Sequence, residues 1–199
     1  MVLGYHLVFG AYGFWLPNDP RGSGSKTVWA EHLRRFGPAT GLDDRSRSVA
    51  GKQHDWRLRL AAKGNLKYPA VKFTGIQAKA IGDGFGDYVR KEQITVWACS
   101  ILPVHVHLVI GRHSSYPIEY ISERLKLAAT QQLVRQGLHP FAHLRTAGGA
   151  LPTCWQRKAW HPFLDTVEDV RHRIQYVEHN PIKEGKPRQR WSFVVPYSG

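Results

Sequence analysis

The run Ile101-Leu102-Pro103-Val104-His105-Val106-His107-Leu108-Val109-Ile110 constrains this chain more than any other stretch. Branched and apolar side chains dominate it, so most of it reads as strand, with Pro103 as a break. A strand sends successive side chains to opposite faces. His105 and His107 therefore project together, roughly 6–7 Å apart along the strand. Val106 points the other way, into a core, with Val104 and Leu108. The fold must hold a strand with one apolar side and two imidazoles on the other. That is half of a divalent-metal site, because neutral imidazole is a common metal ligand. The other half has to come from elsewhere in the chain.

Around this run the chain alternates strand and helix signals. Tyr5 to Gly10 reads as a strand, followed by turn-rich residues to about position 26. From about 26 to 72 no clean period emerges, although 32–35 and 56–62 each suit a short helix. This stretch is expected to be an irregular basic insertion within one domain spanning 1–199. Thr74 can cap a helix running to about Val89, with glycines weakening its middle. Ile94–Leu102 and Val104–Ile110 form a plausible hairpin around Pro103. Ile118–Gln136 is the clearest helix, with Ile121, Leu125, Ala128, Ala129 and Leu133 sharing a face. Residues 155–163 suit a short strand pair. Thr166 and Asp169 open a last helix in the manner of a capping box, and Asn180-Pro181 is expected to stop it. Trp191 to Val195 suits a final strand. The expected class is α+β, an antiparallel sheet with helices packed on one face.

Composition narrows the partners. The 199 residues carry 28 Lys+Arg against 15 Asp+Glu, a formal +13, so a polyanion is the expected partner. Nucleic acid leads, with an anionic membrane surface the lesser alternative. Two cysteines, Cys99 and Cys154, are too few for a disulfide framework. No apolar stretch approaches the ~20 residues that span a bilayer, and the N-terminus lacks a signal-peptide pattern. A cytoplasmic location is expected.

The last helix offers the second half of the site. His172, Tyr176 and Asn180 stand four apart and form one stripe, with His179 beside them. Val170, Ile174 and Val177 lie on another side and can bury the helix against the sheet. A tyrosine among possible ligands on a basic helix suggests a phenolate aimed at phosphate. A phenol ordinarily ionises near ~10, so such a nucleophile needs an ion or base beside it. A divalent ion on His105, His107 and one helix atom would polarise a phosphodiester oxygen. Seven tryptophans and eight tyrosines among many cations suggest base stacking beside phosphate contacts. Trp15, Arg21, Trp155, Arg157, Lys158, Arg171 and Arg173 are the DNA-facing candidates.

These residues resemble a known group. Tyr5-His6-Leu7-Val8, the run Tyr12 to Gly22, Leu102 to Leu108, Trp155 to Phe163, Tyr176-Val177-Glu178-His179-Asn180-Pro181 and Trp191-Ser192 are similar to the single-tyrosine HUH transposases of the insertion-sequence type, and especially to REP-associated tyrosine transposases. A histidine pair alone is a weak signal; the pair followed some seventy residues later by Tyr-x-x-x-Asn-Pro is a strong one. The resemblance covers nearly the whole chain except about 30–70. It implies a ferredoxin-like fold and cleavage and rejoining of single-stranded DNA, with hairpin ends as the recognised form. It also implies a 5′-phosphotyrosine link and Mg²⁺ or Mn²⁺ as cofactor. By position, Tyr176 would be the nucleophile, His105 and His107 metal ligands, and Asn180 the third ligand where many relatives have Gln. Asn180 is shorter than Gln, so His172 or His179 are alternative ligands. Val104 stands where relatives often have Asn. Members of this group occur as homodimers and as monomers, and both states stay open. Two other functions use the same features: a non-catalytic single-strand binder, and a metal-dependent nuclease in which water attacks.

Overall fold

The computed structural model describes residues 1–20, 27, 28, 30–40 and 54–199. In chain order the elements are β1 (Gly4–Ala11), a 3-10 helix (Glu31–Phe36), α1 (Trp56–Gly64), α2 (Gly75–Lys91), β2 (Val96–Ile101), β3 (His105–Gly111), α3 (Ile118–Arg135), β4 (Trp155–Trp160), β5 (Phe163–Leu164) and α4 (Val167–Lys183). They fall into two compact units, Met1–Ala11 with Lys72–Gly199, and Tyr12–Val71.

In the first unit every strand pairing is antiparallel, in the order β2-β3-β1-β4, with β5 also on β1. The connection β1-α2-β2-β3-α3-β4 is the split β-α-β arrangement of ferredoxin-like sheets, with β3 inserted between β1 and β2. The α+β class is as expected. β4 and β5 do not pair with each other, however. His161-Pro162 leads the chain along the edge of β1, where His6 N–H donates to the Pro162 carbonyl at 3.0 Å.

Leu7 and Phe9 of β1 share one face with Val106, Leu108 and Ile110 of β3, and all are fully buried. The Phe9 ring meets Phe85 of α2 edge-on at 6.1 Å, and Ile121, Leu125 and Leu133 of α3 are fully buried. Thr74 and Gln77 close a reciprocal capping box that satisfies two donors at the start of α2. The glycines of α2 permit close approach. A Cβ on Gly84 would lie 2.7 Å from the Ala128 carbonyl oxygen of α3, and one on Gly82 would strike the Trp191 indole.

α4 covers the reverse face, so the helices are divided between the two sides of the sheet. Val170 and Val177 are fully buried there with Ala98, Val109 and Leu164. At about 1.5–3 kcal/mol for each buried valine, these two anchor the helix. The expected stop at Asn180-Pro181 does not occur: α4 continues to Lys183, with Pro181 inside it. Proline removes only one helical donor there, and the turn holds because Pro181 is buried and its carbonyl accepts from Lys186 N–H at 2.8 Å.

The expected strand over 191–195 is likewise absent. Only Val195 N–H reaches the sheet, at the Val96 carbonyl, while Trp191 and Phe193 stack at 6.1 Å. The aromatic side chains are used for packing, with Phe193 buried and Trp191 filling the space above Gly82.

The second unit has its own small core of Leu16, Leu33 and Ala62, flanked by Val28, Ala30, Phe36 and Leu66. The Asp55 carboxylate caps α1 by accepting from Arg57 and Leu58 N–H. Arg59 pairs with the buried Asp19 carboxylate at 3.3 Å. Two helical elements thus stand where the periodicity suited short helices. No helix among the described residues is long and apolar enough to cross a membrane.

A candidate active site of three histidines and a tyrosine

β3 presents His105 and His107 to α4, with ring centroids 4.7 Å apart. β1 adds a third imidazole that the sequence did not single out. The register sets His6 opposite Val109 and Val8 opposite His107, so His6 lies diagonal to His107 on the same face. Their ring planes are nearly parallel, at 9°, and His6 Nε2 and His107 Nδ1 share a hydrogen bond of 3.0 Å. Both side chains are buried.

The tyrosine of the last helix arrives at this pair. The Tyr176 ring stands edge-on to His107 at 5.7 Å and to His6 at 5.9 Å, all within one chain. Trp160 of β4 closes on His6 at 6.1 Å. Tyr176 is 38 % exposed, which leaves an open side for a ligand. Two cations flank it: Arg173 lies 5.5 Å and Lys183 5.0 Å from the ring centroid. One turn beyond Tyr176, Asn180 is buried, and its amide nitrogen has no hydrogen-bond partner among the described residues. One further turn on, Glu184 Oε1 stands 4.0 Å from His105 Nε2.

Burial sets the charge state of this face. Desolvation, followed by the positive charge of Arg173, pushes His6 down to about 3. Desolvation, then repulsion from His6, His105 and Arg173, holds His107 well below the usual imidazole range. Both are neutral near pH 7, and a neutral imidazole keeps the lone pair that a metal needs. Among the described residues no group of three or more His, Cys, Asp or Glu stands ready to hold a metal. An ion here would need a further donor from α4 besides His105 and His107. Asn180 is buried on the same stripe of α4 as Tyr176; its side-chain oxygen is the kind of donor that suits a hard divalent cation, while the atom left unpaired is its amide nitrogen.

The other expected residues divide. His172 and His179 are both exposed on α4, and His179 Nδ1 donates to the Gln175 carbonyl at 2.8 Å, so its own helix engages it. Trp155 corrects the expectation of a DNA-facing platform. It is buried, its ring packs on Phe9 at 5.3 Å and Phe73 at 4.9 Å, and its Nε1–H donates to Thr130 Oγ1 at 3.0 Å. The apolar body and the satisfied N–H make it a core residue. Arg157 and Lys158 are exposed on β4, the strand that brings Trp160 to His6. Arg171 is exposed and donates to the Gly199 carbonyl at 2.8 Å. Trp15 lies in the second unit, half-buried against Phe14 at 5.1 Å. Arg21 lies outside the described residues.

His6, Trp160, Lys183 and Glu184 are the neighbours that sequence reasoning missed. His6 had no short-range signal, since its partner is 101 residues away. Glu184 stands eight residues after Tyr176, and the expected helix stop hid the continuation of the stripe.

No family model and no curated protein matches this chain. Among solved structures it is similar to a REP-associated tyrosine transposase bound to a REP hairpin, at 20% identity and a TM-score of 0.45, covering 64% of this chain and 70% of that one. It is also similar to a candidate transposase from Deinococcus radiodurans R1, at 16% identity and a TM-score of 0.41, covering 90% of this chain and 91% of that one.

Proposed function

We propose that this chain is a tyrosine transposase acting in the cytoplasm, a strand transferase that cleaves and rejoins single-stranded DNA through a 5′-phosphotyrosine intermediate. The observation that carries this reading is the approach of the Tyr176 ring to His107 and His6, at 5.7 and 5.9 Å, in a chain that is strongly basic. The motif resemblance adds hairpin DNA as the recognised form.

Tyr176 Oη attacks the scissile phosphorus, and its proton leaves to water at the exposed edge of the ring. The P–O3′ bond breaks, and the departing oxygen takes up a proton to become a free 3′-hydroxyl. One phosphodiester is exchanged for another, so attack by a second 3′-hydroxyl reverses the step and rejoins DNA without a nucleotide cofactor. Mg²⁺ or Mn²⁺ held by His105, His107 and Asn180 would offset charge developing on the phosphate oxygens. Arg173 and Lys183, beside the ring, would hold the phosphate against the phenol. Arg157, Lys158 and Arg171 are further phosphate contacts, and affinity carried by such contacts falls steeply with salt. Because the phenol meets the imidazoles of its own chain, the site needs no second copy to be complete.

The test is a covalent-adduct assay on labelled single-stranded hairpins with Mg²⁺ or Mn²⁺. Protein-linked DNA on a denaturing gel, abolished by chelator and by Tyr176→Phe, is expected. Release of both DNA ends with no adduct would identify the water-using nuclease instead. Binding without any cleavage would identify a binding module.

A further inference from the structure

The hydrogen bond between His6 and His107 has a direction, and the direction bears on whether His107 can hold a metal. A neutral imidazole has one N–H and one bare nitrogen. His107 Nδ1 is committed to His6 Nε2 at 3.0 Å, with the two ring planes parallel within 9°. Only His107 Nε2 therefore remains for an ion. Ligation through Nε2 leaves the His107 proton on Nδ1, which must then donate. His6 Nε2 must accept, and the His6 proton must sit on Nδ1.

We infer that His6 is a positioning residue of the metal site, accepting from His107 Nδ1–H and so holding His107 in the tautomer and ring orientation that offers Nε2 to a divalent ion. Metal-bound histidines generally donate their second N–H to a carboxylate, a carbonyl or water, and such partners govern affinity. Here an imidazole takes that place. His6 is 1 % exposed and His107 is 6 % exposed, so the acceptor for His107 is a protein group rather than bulk water. The arrangement also explains a buried histidine in the centre of a sheet. His6 Nδ1 has no hydrogen-bond partner among the described residues, so the side chain is not there to satisfy its own polar atoms. Its one hydrogen bond serves His107. β1 is the central strand, and Trp160 and Tyr176 hem the His6 ring edge-on, which fixes its plane.

This role rests on the metal reading above, and the experiment separates the two. Mn²⁺ affinity is measured on the full chain for the wild type, His107→Ala, His6→Phe and His6→Gln, with thermal unfolding recorded for each. Phe keeps the volume and removes the acceptor; Gln restores a carbonyl acceptor. Binding weaker by roughly 10–100-fold in His6→Phe, recovered substantially in His6→Gln, is expected. Should the Phe variant fail to fold, ¹⁵N imidazole spectra of the Mg²⁺-loaded wild type decide the matter: His107 is expected to be protonated on Nδ1 and His6 to be bare on Nε2. A His6→Phe variant that binds Mn²⁺ like the wild type, or a His6 protonated on Nε2 in the loaded protein, overturns the positioning role while leaving the metal site intact. A wild type that binds no Mn²⁺ overturns both.

Discussion

On one face of the sheet, Leu7, Phe9, Val106, Leu108 and Ile110 are fully buried beneath α2 and α3 and carry no side-chain polar atom. On the other, the alternate residues of the same two strands include His6, His105 and His107, beneath the single helix α4. Both faces are buried, but they use burial differently. Beneath α2 and α3 it removes apolar area from water and supplies stability. Beneath α4 it strips water from the His6 and His107 imidazoles, which disfavours their charged forms and leaves that pair one hydrogen bond to share. The lesson is that a strand with period two can place apolar and titratable side chains on opposite sides with adjacent residues, as Leu108 and His107 do. A one-residue slip of register would exchange them.

The sharpest way to break the comparison is at Tyr176. Tyr176→Phe removes one oxygen from the α4 face, and covalent adduct is expected to fall by on the order of 10⁴-fold or more, with single-strand affinity and melting temperature nearly unchanged. Adduct formation by the variant at the wild-type rate would end the assignment. One position along from His107, Leu108→Ala should do the opposite. It deletes a fully buried side chain and is expected to cost about 2–5 kcal/mol in urea unfolding, with Mn²⁺ affinity of the folded fraction retained.

Acid should separate the faces next. His6 titrates near 3 when folded and near the ordinary histidine value when unfolded, so between those values the unfolded chain binds more protons. The stability this histidine contributes is present above pH ~6.5 and is lost as pH falls toward 3, at up to about 1.4 kcal/mol for each pH unit. His107 adds in the same direction. Urea midpoints of metal-free protein across that range should show the slope, and His6→Phe should flatten it. The smallest effect lies beneath the apolar face. Gly84→Ala gains helix propensity but sets a Cβ against the Ala128 carbonyl, and a net loss of about 1–3 kcal/mol is expected from a melting curve. A stabilised variant would show that α2 and α3 can part without penalty.

Much of the fold was legible because its signals are local. The period of Ile118–Arg135, the Thr74 cap and the alternation of His105–Ile110 each need only their neighbours in sequence. The histidine pair and the Tyr176 stripe were each legible from local spacing, and the Tyr176 ring stands 5.7 Å from His107. Harder cases depended on distant partners. Trp155 reads as a surface platform beside Arg157 and Lys158 until Phe9, Phe73 and Thr130 are seen around it. Asn180-Pro181 reads as a helix stop until burial and the Lys186 hydrogen bond are seen to carry the helix past it. Glycines in α2 read as weakness until Ala128 and Trp191 fill the space above them.

By itself, then, the amino-acid order determined which residues share a side: two imidazoles on one face of a strand, a phenol and an amide on one stripe of a helix. Those facts follow from backbone periodicity, which acts over a few residues. Only the tertiary structure decided that the phenol meets the imidazoles of its own chain, that His6 joins them from β1, and that Glu184 approaches from a helix one turn longer than its proline suggested. Strand register and helix docking are set by burial summed over residues a hundred positions apart, and no local pattern encodes that sum.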